Sequence, residues 1–359
     1  MTFRIGGEIE ISPALLAVPS FASIPALPKP NTIWLDTGRS ALYLALLEII
    51  RRGGTKRAWL PAYVCGSVVA AFKALDFELR FYPVGSRLEG PRFPDEIAKG
   101  DAFLYVHYFG HPNTAAVDWL KQVNYEGNFF VIEDCVQASL NTGVGAVGDY
   151  AITSYRKFVP QPDGALLGSS APIESLLHEP DEAFISAKFL GKLLRHEVAQ
   201  NQEAFLALFG EAEDRLEQGF MPRKMSWLSR YLMSRTDIGV VSKVRRRNWH
   251  DLADHFKANP WMGKVMTPIF EHLGDGAVPL GFPVSIQGGK RDRLRRHLAD
   301  NHIYCPVHWE LPHLQEDAAW RDELELSRSI LTLPIDQRLE LSHVTYMVQS
   351  IKTFFDGTL

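Results

Sequence analysis

Cysteine is scarce in this sequence. Three cysteines occur among 359 residues, and Cys65, Cys135 and Cys305 lie far apart along the chain. The odd number and the wide spacing argue against a disulfide framework, and no cysteine or histidine pair has the spacing of a zinc module. We therefore expect no metal site and a reducing compartment, the cytoplasm.

The sequence also lacks a large excess of charge of one sign and long hydrophobic runs. The 38 basic and 42 acidic residues leave a formal net charge of −4, which gives no support to a nucleic-acid-binding or membrane-binding surface. No run of about 18 apolar residues predicts a membrane span. The first residues, MTFRIGGEIEI, lack the apolar segment of a secretory signal. We therefore expect small-molecule partners.

Short apolar runs alternate with amphipathic stretches along the first part of the chain. The predicted strands lie within 57–64, 79–84, 102–110 and 128–134, and the predicted helices within 40–52, 67–75 and 115–123. This alternation predicts an α/β fold with a mostly parallel sheet. We expect a large domain at residues 1–240 and a small C-terminal domain at residues 241–359. The basic segment KVRRRN at 243–248 is interpreted as a solvated helix face.

Two candidate binding segments are expected where strands end, at the edge where α/β sheets bind ligands. The turn DTGRSA at 36–41 opens a helix whose free N–H groups can hold a phosphate, with Gly38 allowing close approach and Ser40 adding a hydroxyl. Asp134 ends an apolar strand, where a buried carboxylate requires a partner, and Gln137 follows it. The alternative for both segments is an ordinary helix N-cap.

Lys157 is the candidate nucleophile. It follows an apolar stretch and precedes a turn that contains two prolines. A lysine in a partly desolvated slot has a lowered pKa and can form an imine with an aldehyde. Because most lysines are solvated surface charges, the hypothesis depends on the neighbouring segments around Asp134 and Gly38.

The order of these segments resembles the DegT/DnrJ/StrS-type sugar aminotransferases, a branch of the fold-type-I pyridoxal phosphate (PLP) enzymes. The similar segments, in the family's order, are TGRSALYLAL, LPAYVCGSV, VHYFGHP, IEDCVQA, SYRKFVPQPDGALL, RRRNWHDL, GFPV, PVHWELP and SILTLPIDQ. They extend over nearly the whole chain. The resemblance implies a large domain with a mostly parallel seven-stranded sheet, a small C-terminal α/β domain, and a homodimer with shared active sites.

The resemblance also implies roles for particular residues. Lys157 would carry PLP as a Schiff base and act as general acid and base. Asp134 would pair with the pyridine nitrogen, and Gln137 would bond near the phenolic oxygen of the ring. The residues implied at the cofactor phosphate are Gly38, Arg39, Ser40 and Ser154. His308 would lie at the substrate end of the site, and Trp309 either lines the substrate pocket or anchors a domain interface.

Several positions depart from the family's pattern. Cys65 stands where the family has an aromatic residue over the cofactor ring, and Tyr63 is the alternative stacking residue. Ser154 lies so close before Lys157 that Arg156 becomes a rival phosphate ligand. The partner-subunit segment has lost its asparagine at 219–221, and its replacement in the cross-dimer phosphate contact would be Arg223 or Lys224.

The predicted function is that of a divergent PLP-dependent aminotransferase. It would move an amino group from a small-molecule donor, typically glutamate, to a keto group, typically of a nucleotide-linked sugar. One alternative is a PLP/PMP-dependent sugar dehydratase, in which histidine replaces the lysine, so that Lys157 argues against it. The other is a catalytically idle homologue that binds a ligand or regulates, which Cys65 and Met221 leave open.

Overall fold

The computed structural model describes residues 4–21, 26–88, 91–197 and 202–356. The strands, numbered along the chain, are β1 (Ile5–Gly6), β2 (Asn31–Leu35), β3 (Arg57–Pro61), β4 (Glu78–Tyr82), β5 (Ala102–Val106), β6 (Phe130–Asp134), β7 (Tyr150–Ile152), β8 (Ala165–Ser169), β9 (Met266–Pro268), β10 (Phe282–Ile286), β11 (Ile303–Tyr304) and β12 (Ile330–Leu333). The helices are α1 (Gly38–Arg51), α2 (Gly66–Lys73), α3 (Thr114–Val123), α4 (Glu182–Glu197), α5 (Gln202–Glu217), α6 (Trp227–Ser234), α7 (Ile238–Ala258), α8 (Pro260–Val265), α9 (Arg291–Asp300), α10 (Arg321–Ser329) and α11 (Leu341–Phe355).

Seven strands form the large sheet, in the order β2-β8-β7-β6-β5-β3-β4. Strand β8 runs antiparallel to both of its neighbours, and the other adjacent pairs are parallel. The predicted α/β fold with a mostly parallel seven-stranded sheet is therefore confirmed. Every residue of β5 is buried, so that both faces of the sheet are covered at its centre.

Helix α1 begins two residues before its predicted start at Ser40. The Oγ1 of Thr37 accepts the N–H of Ser40 at 3.1 Å, and this N-cap fixes the first turn at Gly38. The helix packs against β7 and β8. Its N-terminus is thereby held at the edge of the sheet where the parallel strands end.

The C-terminal part of the chain has its own apolar core. A three-stranded antiparallel sheet, in the order β12-β10-β9, lies within it, and α11 packs against both α7 and α9. Ile5 belongs to the same core because β1 pairs in parallel with β11. The N-terminal segment is thus attached to the C-terminal part of the chain.

Helix α7 connects the two parts without a break. The proposed boundary between residues 240 and 241 falls inside this helix, and a domain division at that point stays a prediction. The helix has 21 residues, but its sequence carries many charges. Within the described ranges no helix combines the length and the apolar character that crossing a membrane requires.

Candidate active site

Lys157 ends a one-turn helix, Tyr155–Lys157, that follows β7. Burial lowers the pKa of Lys157, the nearby Cys65 and Asp134 act to raise it, and the Arg156 cation lowers it further. The net lowering favours the uncharged amine, which is the nucleophilic form. The structure therefore brings three of the predicted site residues, Lys157, Asp134 and Cys65, into one electrostatic environment.

Asp134 lies at the end of β6 and is only 5% exposed. Burial raises the pKa of its carboxyl group, although the N–H of Val136, which donates to Oδ1 at 2.9 Å, and the charge of Lys157 act against this. A turn rather than a helix follows it, so that the N-cap interpretation is wrong. A buried carboxylate in this state gains from a further N–H or cationic partner.

A buried hydrogen-bond network holds the backbone of Asp134 in place. The N–H of Asn113 donates to Nδ1 of His107 at 2.8 Å, so that Nε2 carries the proton and donates to Oε1 of Glu133, also at 2.8 Å. The N–H of His107 donates to the carbonyl oxygen of Asp134 at 3.0 Å. Residue spacing missed this network because β5 and β6 bring it together, and Cys135 also lies within 4.8 Å of the pair.

Gln137 is anchored at one end of its amide and free at the other. Its Oε1 accepts the N–H of Phe109 at 2.8 Å. Its Nε2 is buried and has no hydrogen-bond partner among the described residues. An unpaired buried donor costs about 1–3 kcal/mol, and this one is available to a ligand bound at the Asp134–Gln137 turn.

Gly38 and Ser154 meet at the end of the sheet. A Cβ atom on Gly38 would lie 3.1 Å from the Val136 side chain, 3.2 Å from the carbonyl oxygen of Thr153 and 3.3 Å from Cβ of Ser154. Glycine therefore permits close packing against the ends of the strands, whereas the close approach of a phosphate to Gly38 stays a prediction. Ser154 is buried, and its N–H donates to Oγ of Ser139 at 3.0 Å.

Arg39 and Ser40 face a different space. The Arg39 guanidinium donates to the carbonyl oxygen of Leu216 at 2.6 Å and lies 5.8 Å from the centre of the Phe220 ring. Oγ of Ser40 donates to the carbonyl oxygen of Met221 at 3.1 Å. Both residues line a cavity of about 420 Å³ beside α5, whose described lining does not include Lys157.

Arg223 and Lys224 both contact Glu179 within the same chain. Nη1 of Arg223 donates to its carbonyl oxygen at 3.0 Å, and Nζ of Lys224 pairs with its carboxylate. A cross-dimer phosphate contact from either residue stays a prediction.

Cys65 and Tyr63 lie between β3 and α2. Cys65 is half-buried, with its Sγ 3.1 Å from Oγ of Ser67. Tyr63 is fully buried, its hydroxyl donates to the carbonyl oxygen of His308, and its ring lies 5.7 Å from that of Trp309. Trp309 is thus packed against Tyr63, it is not among the described lining residues of the cavity that contains Lys157, and its role at the substrate pocket or at a domain interface stays a prediction.

His308 shares a cavity of about 530 Å³ with Lys157. Burial lowers the pKa of His308 to about 3, and the positive charge of Lys157 contributes to this. Its Nδ1 lies 2.9 Å from Oγ1 of Thr332. His308 is therefore a neutral hydrogen-bonding group at neutral pH, and its ring lies 5.4 Å from that of Phe109 in the core of the large sheet.

The interpretation of 243–248 as a solvated face is wrong for two of its residues. Arg245 is 1% exposed and lines the cavity that contains Lys157, and Asn248 is fully buried. Lys243 and Arg247 are exposed, as expected. Charge pattern alone could not distinguish these residues, because they share one helix and differ only in the direction they face.

No protein-family model matches the chain, and no curated protein matches it by sequence. Solved structures do match it. The sugar aminotransferase CalS13 from Micromonospora echinospora is 15% identical with a TM-score of 0.63, covering 98% of this chain and 100% of that one. A DegT DnrJ EryC1 StrS aminotransferase from Brucella abortus is 16% identical with a TM-score of 0.60, covering 91% and 87%. Spr1654 from Streptococcus pneumoniae, in its PLP form, is 14% identical with a TM-score of 0.65, covering 99% and 100%. The chain has the fold of these proteins.

Proposed function

We propose that this chain is a PLP-dependent aminotransferase that moves an amino group, supplied by glutamate, to a keto group of a nucleotide-linked or related sugar. The observation that carries the proposal is the half-buried Lys157, which lines a cavity of about 530 Å³ and whose amine has a lowered pKa near the buried carboxyl group of Asp134. The shared fold supports it, because the similar structures include sugar aminotransferases and a PLP form.

The residues present fit PLP. Asp134 would accept a hydrogen bond from the protonated ring nitrogen, and the unpartnered Nε2 of Gln137 would donate to a ring oxygen. Gly38 packs closely against Ser154 at the N-terminus of α1, and the free N–H groups of this terminus would bind the cofactor phosphate. When bound, PLP supplies an electron sink that stabilises negative charge on the substrate carbon.

The chain's own residues would bind the cofactor and move a proton. Lys157 would hold the cofactor covalently and, when released, would carry a proton to and from the substrate carbon as an uncharged amine. Its lowered pKa suits both tasks. His308, neutral at the pH of the cell, would hydrogen-bond a substrate without adding charge next to Lys157.

Covalent attachment of PLP tests the proposal. The purified chain is incubated with PLP and reduced with borohydride, and its peptides are analysed by mass spectrometry. We expect an adduct on Lys157 in the wild type and none at that position in Lys157→Ala. An unmodified Lys157, or an adduct at another lysine that persists in the variant, would contradict the assignment.

The same preparation distinguishes the alternatives. Incubation with glutamate before reduction should protect Lys157 from labelling, because amino transfer leaves the nitrogen on the cofactor and frees the lysine. A labelled Lys157 that glutamate does not affect would favour the idle homologue. Formation of a dehydrated sugar without amino transfer would favour the dehydratase, although Lys157 argues against it.

We also propose a homodimer in the cytoplasm, in which the partner subunit completes each site. Leu176 and Trp227 are large exposed apolar side chains of the single chain, and an association of copies would cover such side chains. The free thiols of Cys65, Cys135 and Cys305 suit a reducing compartment. Light scattering on the purified protein should give twice the mass of the 40.4 kDa chain.

A further inference from the structure

The cavity beside Lys157 is lined by carboxylates that are already paired. Glu8 binds Nζ of Lys188 at 2.9 Å and Nζ of Lys192 at 2.7 Å. Glu213 binds Lys188 at 2.6 Å. The third carboxylate that lines the cavity, Asp336, forms an ion pair with Arg338 at 2.7 Å.

Arg245 lines the same cavity without a carboxylate partner. Its Nε donates to the amide oxygen of Gln337 at 3.1 Å, and its Nη1 donates to the carbonyl oxygens of Pro279 and Leu280 at 3.3 and 3.0 Å. Among the described residues it forms no ion pair within 4 Å, although the charge of Asp336, which is paired with Arg338, also acts on it. Burial lowers the pKa of Arg245 to about 10, so that it is still a cation at neutral pH. A buried cation in this state is stabilised by an anion.

Arg156 is the second under-paired cation of the cavity. Its Nη1 lies 3.8 Å from Glu213, which Lys188 binds much more closely, and its buried Nε has no partner among the described residues. It is also adjacent to Lys157 in sequence. Two guanidinium groups with unused binding capacity therefore face the space next to the candidate nucleophile.

We propose that Arg245 and Arg156 bind a carboxylate of the amino donor in this cavity and so determine the donor's specificity. The inference rests on the proposed aminotransferase function. A guanidinium presents its N–H groups in a planar fork that matches a carboxylate. The rest of the wall includes apolar or backbone surface from Pro162, Leu280 and Leu333, which suits the methylene groups of an amino acid.

The paired carboxylates favour a carboxylate ligand over a phosphate. Glu8, Glu213 and Asp336 line the cavity together with the arginines. A single carboxylate group brings one negative charge to two under-paired cations and completes their pairing. A phosphate dianion would add a second negative charge close to these acidic groups, and like charges in a partly buried site repel strongly.

Direct binding tests this assignment. Isothermal titration calorimetry would measure the affinity of glutarate, of its neutral diamide and of inorganic phosphate for the wild type and for Arg245→Gln and Arg156→Gln. Arg246→Gln is the matched control, because Arg246 is the next residue of α7 and donates to the carbonyl oxygens of Gly274 and Ala277 outside the cavity. We expect glutarate binding to weaken by about 30-fold or more in the two cavity variants and to be unchanged in the control.

The variant Arg245→Lys distinguishes a binding role from a purely structural one. Lysine keeps the positive charge but lacks the planar guanidinium, so that this variant should retain the melting temperature of the wild type and still bind glutarate more weakly. Arg245→Gln should raise the KM for glutamate much more than it lowers kcat. An effect on stability and kcat alone would assign Arg245 a structural role and overturn the proposal.

The outcomes separate this inference from the proposed function. Glutarate binding that is equal in wild type, Arg245→Gln and Arg156→Gln, or tight binding of phosphate with none of glutarate, overturns the inference. The calorimetry is done with and without PLP, and therefore gives an answer even if Lys157 takes up no cofactor. If no PLP attaches to Lys157 in the wild type, the proposed function is instead overturned.

Discussion

At the residue scale, the reactivity of Lys157 depends on which charges surround its amine. Burial and the Arg156 cation lower its pKa, and Cys65 and Asp134 raise it. Each neighbour thus shifts the pH at which the uncharged amine forms. The direction of each shift can be measured, because only the uncharged amine attacks an aldehyde.

Substitution of these neighbours should move the pH profile of cofactor attachment in opposite directions. Arg156→Gln removes a cation that lowers the pKa of Lys157, so that the midpoint of the attachment rate should move to higher pH. Asp134→Asn removes an anion that raises it, so that the midpoint should move to lower pH. The rate is followed by borohydride trapping at a series of pH values, with Arg246→Gln as control. Shifts in the same direction, or none, would show that the electrostatic account is wrong.

Sequence reasoning found residues with a recognisable neighbourhood and missed those whose partners are remote. Lys157 and Asp134 each follow an apolar strand, and this pattern is visible in the sequence. Arg245 lies in a run of basic residues, and only the orientation of α7 shows that it is buried. The network of His107 and Glu133 requires β5 and β6 to be paired, which no local pattern specifies.

At the scale of elements, the start of α1 is a part of the site where side-chain size matters. Gly38 is the first residue of α1, and a Cβ there would be crowded by Thr153, Ser154 and Val136. Gly66 is the first residue of α2, and a Cβ there would meet nothing within 4 Å. The two helices therefore provide a matched pair of glycines.

Gly38→Ala should destabilise the fold by about 1–3 kcal/mol, because the added methyl group pushes the turn away from the strand ends. It should also weaken PLP uptake, since the N–H groups of the turn move. Gly66→Ala should be neutral or stabilise by up to about 1 kcal/mol. Thermal unfolding and PLP titration would measure both effects. If the two alanine variants behave alike, close packing at Gly38 has no functional role.

The strands that periodicity predicted are five-residue apolar strands such as β5 and β6. Strand β7 is an apolar stretch of only three residues, and β8 contains Gly168, so that neither is long or regular enough to be assigned as a strand from periodicity. Their place in the sheet comes from pairing with β6 and β2. The seven-stranded count was predicted from the family resemblance for this reason, and not from the local sequence.

At the scale of the whole molecule, the N-terminal segment ties the two parts of the chain together. Strand β1 pairs with β11, and two residues later Glu8 binds Lys188 and Lys192 of α4. Both lysines are 1% exposed; Glu8 compensates the charge of Lys192, and it shares the compensation of Lys188 with Glu213. The sequence could not predict this connection, because 180 residues separate Glu8 from Lys188.

Glu8→Gln should therefore destabilise the whole molecule, and the effect should depend on pH. Although burial acts to raise it, the Lys192 and Lys188 cations hold the pKa of Glu8 well below its ordinary value of 4.5. The stabilisation is thus fully present above pH 4.5 and is lost as the pH falls through the lower pKa of the folded state. At neutral pH we expect a loss of about 1–3 kcal/mol, moderated by the partial exposure of Glu8. In chemical denaturation this difference from the wild type should shrink at acidic pH.

Glu179→Gln, which removes an exposed ion pair with Lys224, is the control and should change stability by less than about 1 kcal/mol. Equal effects of the two substitutions, or a Glu8→Gln effect that does not vary with pH, would show that this network does not hold the N-terminal segment to α4.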